Sequence, residues 1–149
     1  AMLKGLGEKY GVTVLNETAG DGVQLKAVER MIRQIVINLV GNAIKFTPPG
    51  GTVHLSGKLR SDGGYEIAVR DTGVGMSEKE MAHAMMPFGQ NDNRFTGKHD
   101  GTGLGLPLAK AMLELHDGTL RMTSVPDEGT TVTMIIPAAR VEMQGRVAA

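Results

Sequence analysis

The sequence predicts a two-layer α/β sandwich, with a mixed sheet in one layer and helices on one of its faces. Three observations lead there. Glu29 to Phe46 carries apolar residues at helical spacing; Thr52 to Leu59 with Tyr65 to Asp71, and Thr119 to Val125 with Thr130 to Ile136, alternate as two hairpins; and further helical stretches fall between the hairpins. Alternating strands bury one side, and interleaved helices supply its cover.

Each element follows in order. Leu3 to Tyr10 reads as the end of an incoming helix, and Val12 to Asn16 as a short strand. In the long helix, Ile32, Ile35, Val36, Leu39, Val40 and Ala43 form the apolar stripe. Gln34, Asn38 and Asn42 recur every fourth residue on a neighbouring face, and Pro48, Pro49, Gly50 and Gly51 stop the helix. Ser61-Asp-Gly-Gly64 turns the first hairpin. Ser77 with Glu80 matches a capping box for a helix to about Met86. Leu104 to His116 is a third helix, with Pro107 in its first turn and Asp117-Gly118 just past its end. Pro126-Asp-Glu-Gly129 turns the second hairpin, and residues 138–149 read as a loosely ordered end. No repeat or linker divides the chain, so residues 1–149 are expected to be one domain with a core over about 10–137.

Composition narrows the function classes. A chain of 149 residues buries roughly 70% of its unfolded surface, enough for a real core. Sixteen basic residues balance sixteen acidic ones, which gives no electrostatic case for nucleic acid or a membrane surface. The absence of cysteine excludes disulfides and thiolate metal sites and is compatible with a reducing, cytoplasmic setting. No apolar run reaches the roughly 20 residues of a membrane span; a parent protein could still be membrane-anchored.

Carboxamides one turn apart on a helix, as at Asn38 and Asn42, can hold an ion or phosphate, or can satisfy each other in a core. The glycine-rich segments downstream decide between these. Asp71-Thr-Gly-Val-Gly-Met76 ends a strand, Pro87-Phe-Gly89 follows a short helix, and Gly101-Thr-Gly-Leu-Gly-Leu106 opens another. With the asparagine helix, and in this order, they resemble the N, G1, F and G2 boxes of the GHKL ATPase superfamily, and in detail the ATP-binding catalytic domain of sensor histidine kinases. The resemblance covers roughly residues 10 to 137. It implies the Bergerat ATP-binding fold with a mobile ATP lid, and ATP and magnesium as cofactors. The run from Pro87 to Lys110 looks like lids of the alphaproteobacterial cell-cycle kinases and their kinase-like relatives.

Each site residue has a chemical reason. Magnesium is hard, prefers oxygen and keeps several waters while bridging phosphates, so one amide oxygen from the protein can suffice. The resemblance assigns this to Asn42, with Lys45 one turn on to neutralise phosphate. In hydrolytic relatives the residue four before the metal-binding Asn is a glutamate that activates water. Asn38 stands there instead, and an amide takes no proton at neutral pH, which favours phosphoryl transfer over hydrolysis. Asp71 can accept the exocyclic amino hydrogen of adenine, while Gly73 and Gly75 let the backbone approach the base without a Cβ; Met76 follows them. Phe46 is placed to pack on the adenine ring or in the core.

Met76 to Asp100 resembles the lid. Gly89 to Asp100 is polar and lacks apolar periodicity, so it is expected to be a mobile loop, anchored by Phe88. Arg94, Lys98 and His99 are its candidate phosphate contacts, set against the plain alternative of solvated loop charges. Gly101, Thr102, Gly103, Leu104, Gly105 and Leu106 then present bare amides at a helix start, where the dipole favours phosphate. This is neither a Walker loop nor a dinucleotide fingerprint, since no Gly-Lys-Ser/Thr follows and the glycine spacing is wrong.

His54, His83, His99 and His116 are the only histidines, and none begins a phosphoacceptor pattern. Structural roles are expected for His54 and His116. The phosphoacceptor is therefore expected on a separate dimeric helical domain, with a response regulator downstream and this domain alone monomeric. Two departures stand out. Val28 occupies the position where the resemblance expects a capping Asp, which should cost about 1 kcal/mol and leave the helix start less fixed. Met86 precedes the F box in place of an acidic residue. A pseudokinase that senses nucleotide or docks a protein, and a hydrolytic ATPase, are the alternative readings.

Overall fold

A computed structural model describes residues 2–17, 23–86 and 105–143. In chain order its elements are α1 (Met2–Lys9), β1 (Thr13–Glu17), β2 (Val23–Leu25), α2 (Glu29–Lys45), β3 (Thr52–Leu59), β4 (Tyr65–Asp71), α3 (Glu78–Ala84), α4 (Gly105–Glu114), β5 (Thr119–Val125), β6 (Gly129–Ile136), a 3-10 turn (Ala138–Arg140) and β7 (Val141–Met143). The main sheet has five strands in the order β1-β3-β4-β6-β5, with β1 parallel to β3 and the other pairs antiparallel. The mixed α/β architecture is as the sequence predicts.

Cross-strand register builds the inner face row by row. Leu55, Val69, Val132 and Met122 form one row, and Ile67, Met134 and Leu120 another. Against them packs the apolar stripe of α2, whose buried residues Ile35, Leu39, Val40, Ala43 and Ile44 recur at helical spacing. Leu106, Ala109 and Leu113 of α4 complete that layer. The outer face carries Arg70, Thr123 and Arg121, all exposed, and His54, whose Nδ1 lies 3.0 Å from Glu17 Oε1. The core thus lies wholly between the helices and one side of the sheet. Among the described residues, no helix is long and apolar enough to cross a membrane.

Local chemistry at the element ends matches expectation. Ser77 and Glu80 form the capping box, with bonds of 3.2 and 2.9 Å, although α3 ends at Ala84, before Met86. The Asp62 carboxylate accepts the Gly64 N–H at 2.8 Å in the first hairpin turn, where Gly63 has φ +90°. After α4, Asp117 takes φ 58° and the Gly118 N–H returns to Leu113 O at 3.0 Å.

Two expectations need correction. Residues 138–143 are not a loose end: β7 pairs antiparallel with β2, a strand the sequence reading did not anticipate. Arg140 fastens that segment, donating from Nη1 to Lys26 O at 2.8 Å and from Nε to Asp117 Oδ2 at 3.3 Å. Both strands have three residues and are 116 positions apart, so no local pattern marks them. The second correction concerns the start of α2. Val28 has no side-chain cap, as expected, yet its N–H donates to Nε2 of buried His116 at 3.1 Å. A histidine distant in sequence thus holds the helix start that was expected to be loose.

Candidate functional site

Among the described residues, the C-terminal half of α2 carries Asn38, Asn42 and Lys45 and is joined both to the start of α4 and to the loop after β4. Asn38 is half-buried; its Oδ1 accepts Gln34 Nε2 at 2.8 Å, and its Nδ2 donates to Gly105 O at 3.3 Å. This joins the asparagine helix to the last glycine of the third glycine-rich segment, 67 positions away. The loop after β4 closes on the end of α2 through the Val74 N–H and Phe46 O, 3.2 Å apart.

Asp71 ends β4 and is buried. Its Oδ1 accepts the Gly73 N–H at 2.9 Å and the Thr130 N–H at 3.1 Å. Among the described residues nothing bonds its Oδ2, so one oxygen is structural and the other is left for a donor. Burial pushes the carboxyl above the usual 3.8 of an aspartate, and the two N–H groups pull the other way. A raised folded pKa means the fold binds this proton more tightly than the unfolded chain does. The contribution to stability is therefore full below 3.8 and lost as pH rises through the folded value. A ligand that donates to the carboxylate shows the opposite sign, binding more weakly as pH falls through that value. Melting and titration of the chain from neutral to acid pH, with Asp71→Asn as the flat reference, should show these two opposed slopes.

Asn42 and Lys45 are half-buried on α2. Among the described residues, no partner bonds the Asn42 carboxamide and no carboxylate pairs with Lys45. Lys45 Nζ lies 5.6 Å from the centroid of the buried Phe46 ring. Burial holds the Lys45 ammonium below its ordinary 10.5, so an arriving anion would relieve a poorly solvated charge.

The glycines of the β4 loop also have a packing role that the sequence reading did not name. A Cβ on Gly73 would collide with Phe46 O, and one on Gly75, at φ +68°, with Val125 O. Their bareness lets the β4 loop pass between the end of α2 and the β5–β6 turn; the fold itself requires it. Gly105 has open space at its Cβ position. Met76 and Leu106 have their side chains in the core, 2% and 3% exposed. Phe88, Arg94, Lys98, His99, Gly101, Thr102, Gly103 and Leu104, with most of the predicted lid, lie outside the described residues.

Sequence reasoning missed Thr130 and Ser124. The Ser124 hydroxyl takes the Met76 N–H at 2.7 Å and lies 2.7 Å from Thr130 Oγ1, linking the β4 loop to the second hairpin. Their only signal is register: Asp71, Thr130 and Ser124 form one cross-strand row. A cleft of about 980 Å³ between β2 and the first half of α2 includes none of the predicted site residues in its lining.

Comparison with known proteins identifies the family. Residues 27–140 match the family described as histidine kinase-, DNA gyrase B-, and HSP90-like ATPase. The chain is 40% identical over 117 residues to the non-motile and phage-resistance protein of Caulobacter vibrioides, covering 76% of this chain and 14% of that one. It is 41% identical over 124 residues to the cell-division control histidine kinase PdhS of Brucella canis, covering 77% and 12%. The chain thus spans a small part of these relatives. Full-length ShkA, solved in complex with AMPPNP, superposes with a TM-score of 0.77 at 25% identity over 91% of this chain and 27% of that one. With the asparagine helix, the Asp71 loop and the start of α4 brought together on this sandwich, the chain belongs to the histidine kinase-, DNA gyrase B-, and HSP90-like ATPase family, as a catalytic domain of the histidine kinase type.

Proposed function

We propose that this domain binds Mg-ATP and donates the γ-phosphoryl group to a histidine on a separate, dimeric helical phosphoacceptor domain, which then serves a response regulator on the cytoplasmic side. The observation that carries transfer over hydrolysis is the Asn38 contact with Gly105 at the start of α4. It sets an amide, which cannot act as a base, beside the segment expected to hold the phosphates.

The other assignments follow from the donor sets. Asp71 Oδ2 would accept the adenine amino hydrogen, beside Phe46. Asn42 would offer its oxygen to magnesium, a hard ion content with few protein ligands. When bound, that ion would supply positive charge against the phosphates. Among the described residues no group of three or more His, Asp or Glu could hold a metal by itself, which supports a site completed by the nucleotide. Lys45 supplies a cation that no carboxylate of the described residues neutralises. Positioning and electrostatics would do most of the work, as in other phosphoryl transfers.

A direct test mixes the chain with labelled ATP, magnesium and a dimeric helical domain from a relative that carries its phosphoacceptor histidine. Label should reach that histidine and be absent from the chain alone. Rapid release of inorganic phosphate without the acceptor would instead support a hydrolase. Nucleotide binding with no transfer to any acceptor would support the pseudokinase reading.

A further inference from the structure

His116 is buried just past the end of α4, with both ring nitrogens engaged by backbone. Nδ1 lies 2.9 Å from Met112 O, and Nε2 lies 3.1 Å from the Val28 nitrogen. A carbonyl only accepts and an amide N–H only donates, so the ring is neutral, with its proton on Nδ1. A second proton would set an Nε2–H against the Val28 N–H. The charged groups on the surrounding elements are Lys26, Glu29 and Arg30 about the start of α2, Glu114 and Asp117 within two positions of His116 in the chain, and Arg140 and Glu142 in the C-terminal segment. Glu142 pairs with Lys26, Glu29 with Arg33, Glu114 with Lys110 and Asp117 with Arg140. Among the described residues, no carboxylate bonds the imidazole.

The contact matters because of where its counterpart lies. Helices α2 and α4 run antiparallel and are joined a second time by Asn38 and Gly105. From Val28 to Asn38 is about 15 Å of helix, and from Gly105 to His116 about 16 Å, at a rise of roughly 1.5 Å per residue. The two links are therefore matched in length. A single link leaves the helices free to pivot or slide, whereas two fix their axial register. Asn38, Asn42 and Lys45 ride on one helix, and the phosphate-facing amides open the other.

We propose that neutral His116 is a positioning residue for the nucleotide site, clamping the start of α2 to the end of α4 and so setting the spacing of the groups that meet the phosphates. Its effect on affinity rests on the nucleotide reading above; the clamp rests on the geometry alone.

The test compares the 149-residue chain with its His116→Ala and His116→Gln forms. Glutamine can accept the Val28 N–H and donate to Met112 O, so it mimics the neutral ring and cannot gain its charge. Nitrogen NMR of the imidazole should show the Nδ1–H tautomer near neutral pH. At a temperature where all three forms are folded, His116→Ala should bind a magnesium-complexed ATP analogue about fivefold to tenfold more weakly, and His116→Gln should recover most of that loss.

An Nε2–H tautomer, no recovery of affinity in His116→Gln, or native affinity in a His116→Ala form that merely melts earlier would overturn the proposal. If none of the three forms binds nucleotide, the kinase reading fails instead. The clamp is then judged by the tautomer and by melting near neutral pH, where His116→Ala should unfold earlier than the native chain and His116→Gln should recover most of the loss.

Discussion

Asp71→Asn is expected to weaken binding of a magnesium-complexed ATP analogue by one to two decades while leaving the ligand-free fold at least as stable. The size follows from a hydrogen bond to a buried carboxylate, worth roughly 1.5 to 3 kcal/mol. The direction follows from orientation. Oδ1 of Asp71 holds the Gly73 and Thr130 N–H groups, so an asparagine keeps its oxygen there and turns its amino group outward. Donor then faces donor where adenine should bind. Removing the buried charge meanwhile removes the burial cost that raises the Asp71 pKa, so the empty fold loses nothing. Thermal melting reads both effects. Ligand at 100 times its dissociation constant adds about 2.7 kcal/mol, roughly a 5 to 10 °C rise for a chain of this size. The variant should show a much smaller rise at the same ligand concentration. A full rise would sink the base-reading role, and a ligand-free collapse would mean Asp71 acts chiefly as a staple between β4 and β6.

Gly75→Ala should be among the most destabilising single-methyl changes in the chain, costing about 3 kcal/mol or more, or roughly 6 to 12 °C. Two costs combine. A left-handed alanine costs roughly 1 to 2 kcal/mol, and Gly75 sits at φ +68°. The new Cβ also meets Val125 O and lies 2.9 Å from Pro126 Cα, so either the β4 loop or the β5–β6 turn must move. Gly50 separates the two, since it has φ +94° but no atom within 4 Å of its Cβ position. Gly50→Ala should therefore lose only the conformational part. Urea melts of both variants decide the matter, and equal losses would falsify the role of close approach.

The legibility of this chain varied with the range of the interaction. Local patterns revealed α2, both hairpins and the Ser77 capping box because each rests on residues within a few positions of one another. The strands β2 and β7 escaped notice because each has only three residues and its partner is more than a hundred positions away. Asp71 was found from its place before Gly73, whereas Thr130 and Ser124 were not, since only register puts them in the same row. The glycines of that loop were noticed for their expected approach to a base, whereas their close approach to Phe46 O and Val125 O could be seen only in the packed fold. Val28 showed that a cap was missing without showing that His116 ties down the helix start by accepting the Val28 N–H.

What the sequence by itself determined was the long helix, the two hairpins, their layer arrangement and the chemical types expected in the site, because periodicity and turn chemistry are short-range. Only the tertiary structure decided which oxygen of Asp71 is taken, which helix ends are tied together, and that residues 138–143 close a second sheet. Those outcomes depend on groups far apart in the chain meeting within about 3 Å, and hydrogen-bond geometry at that scale is set by how the elements pack.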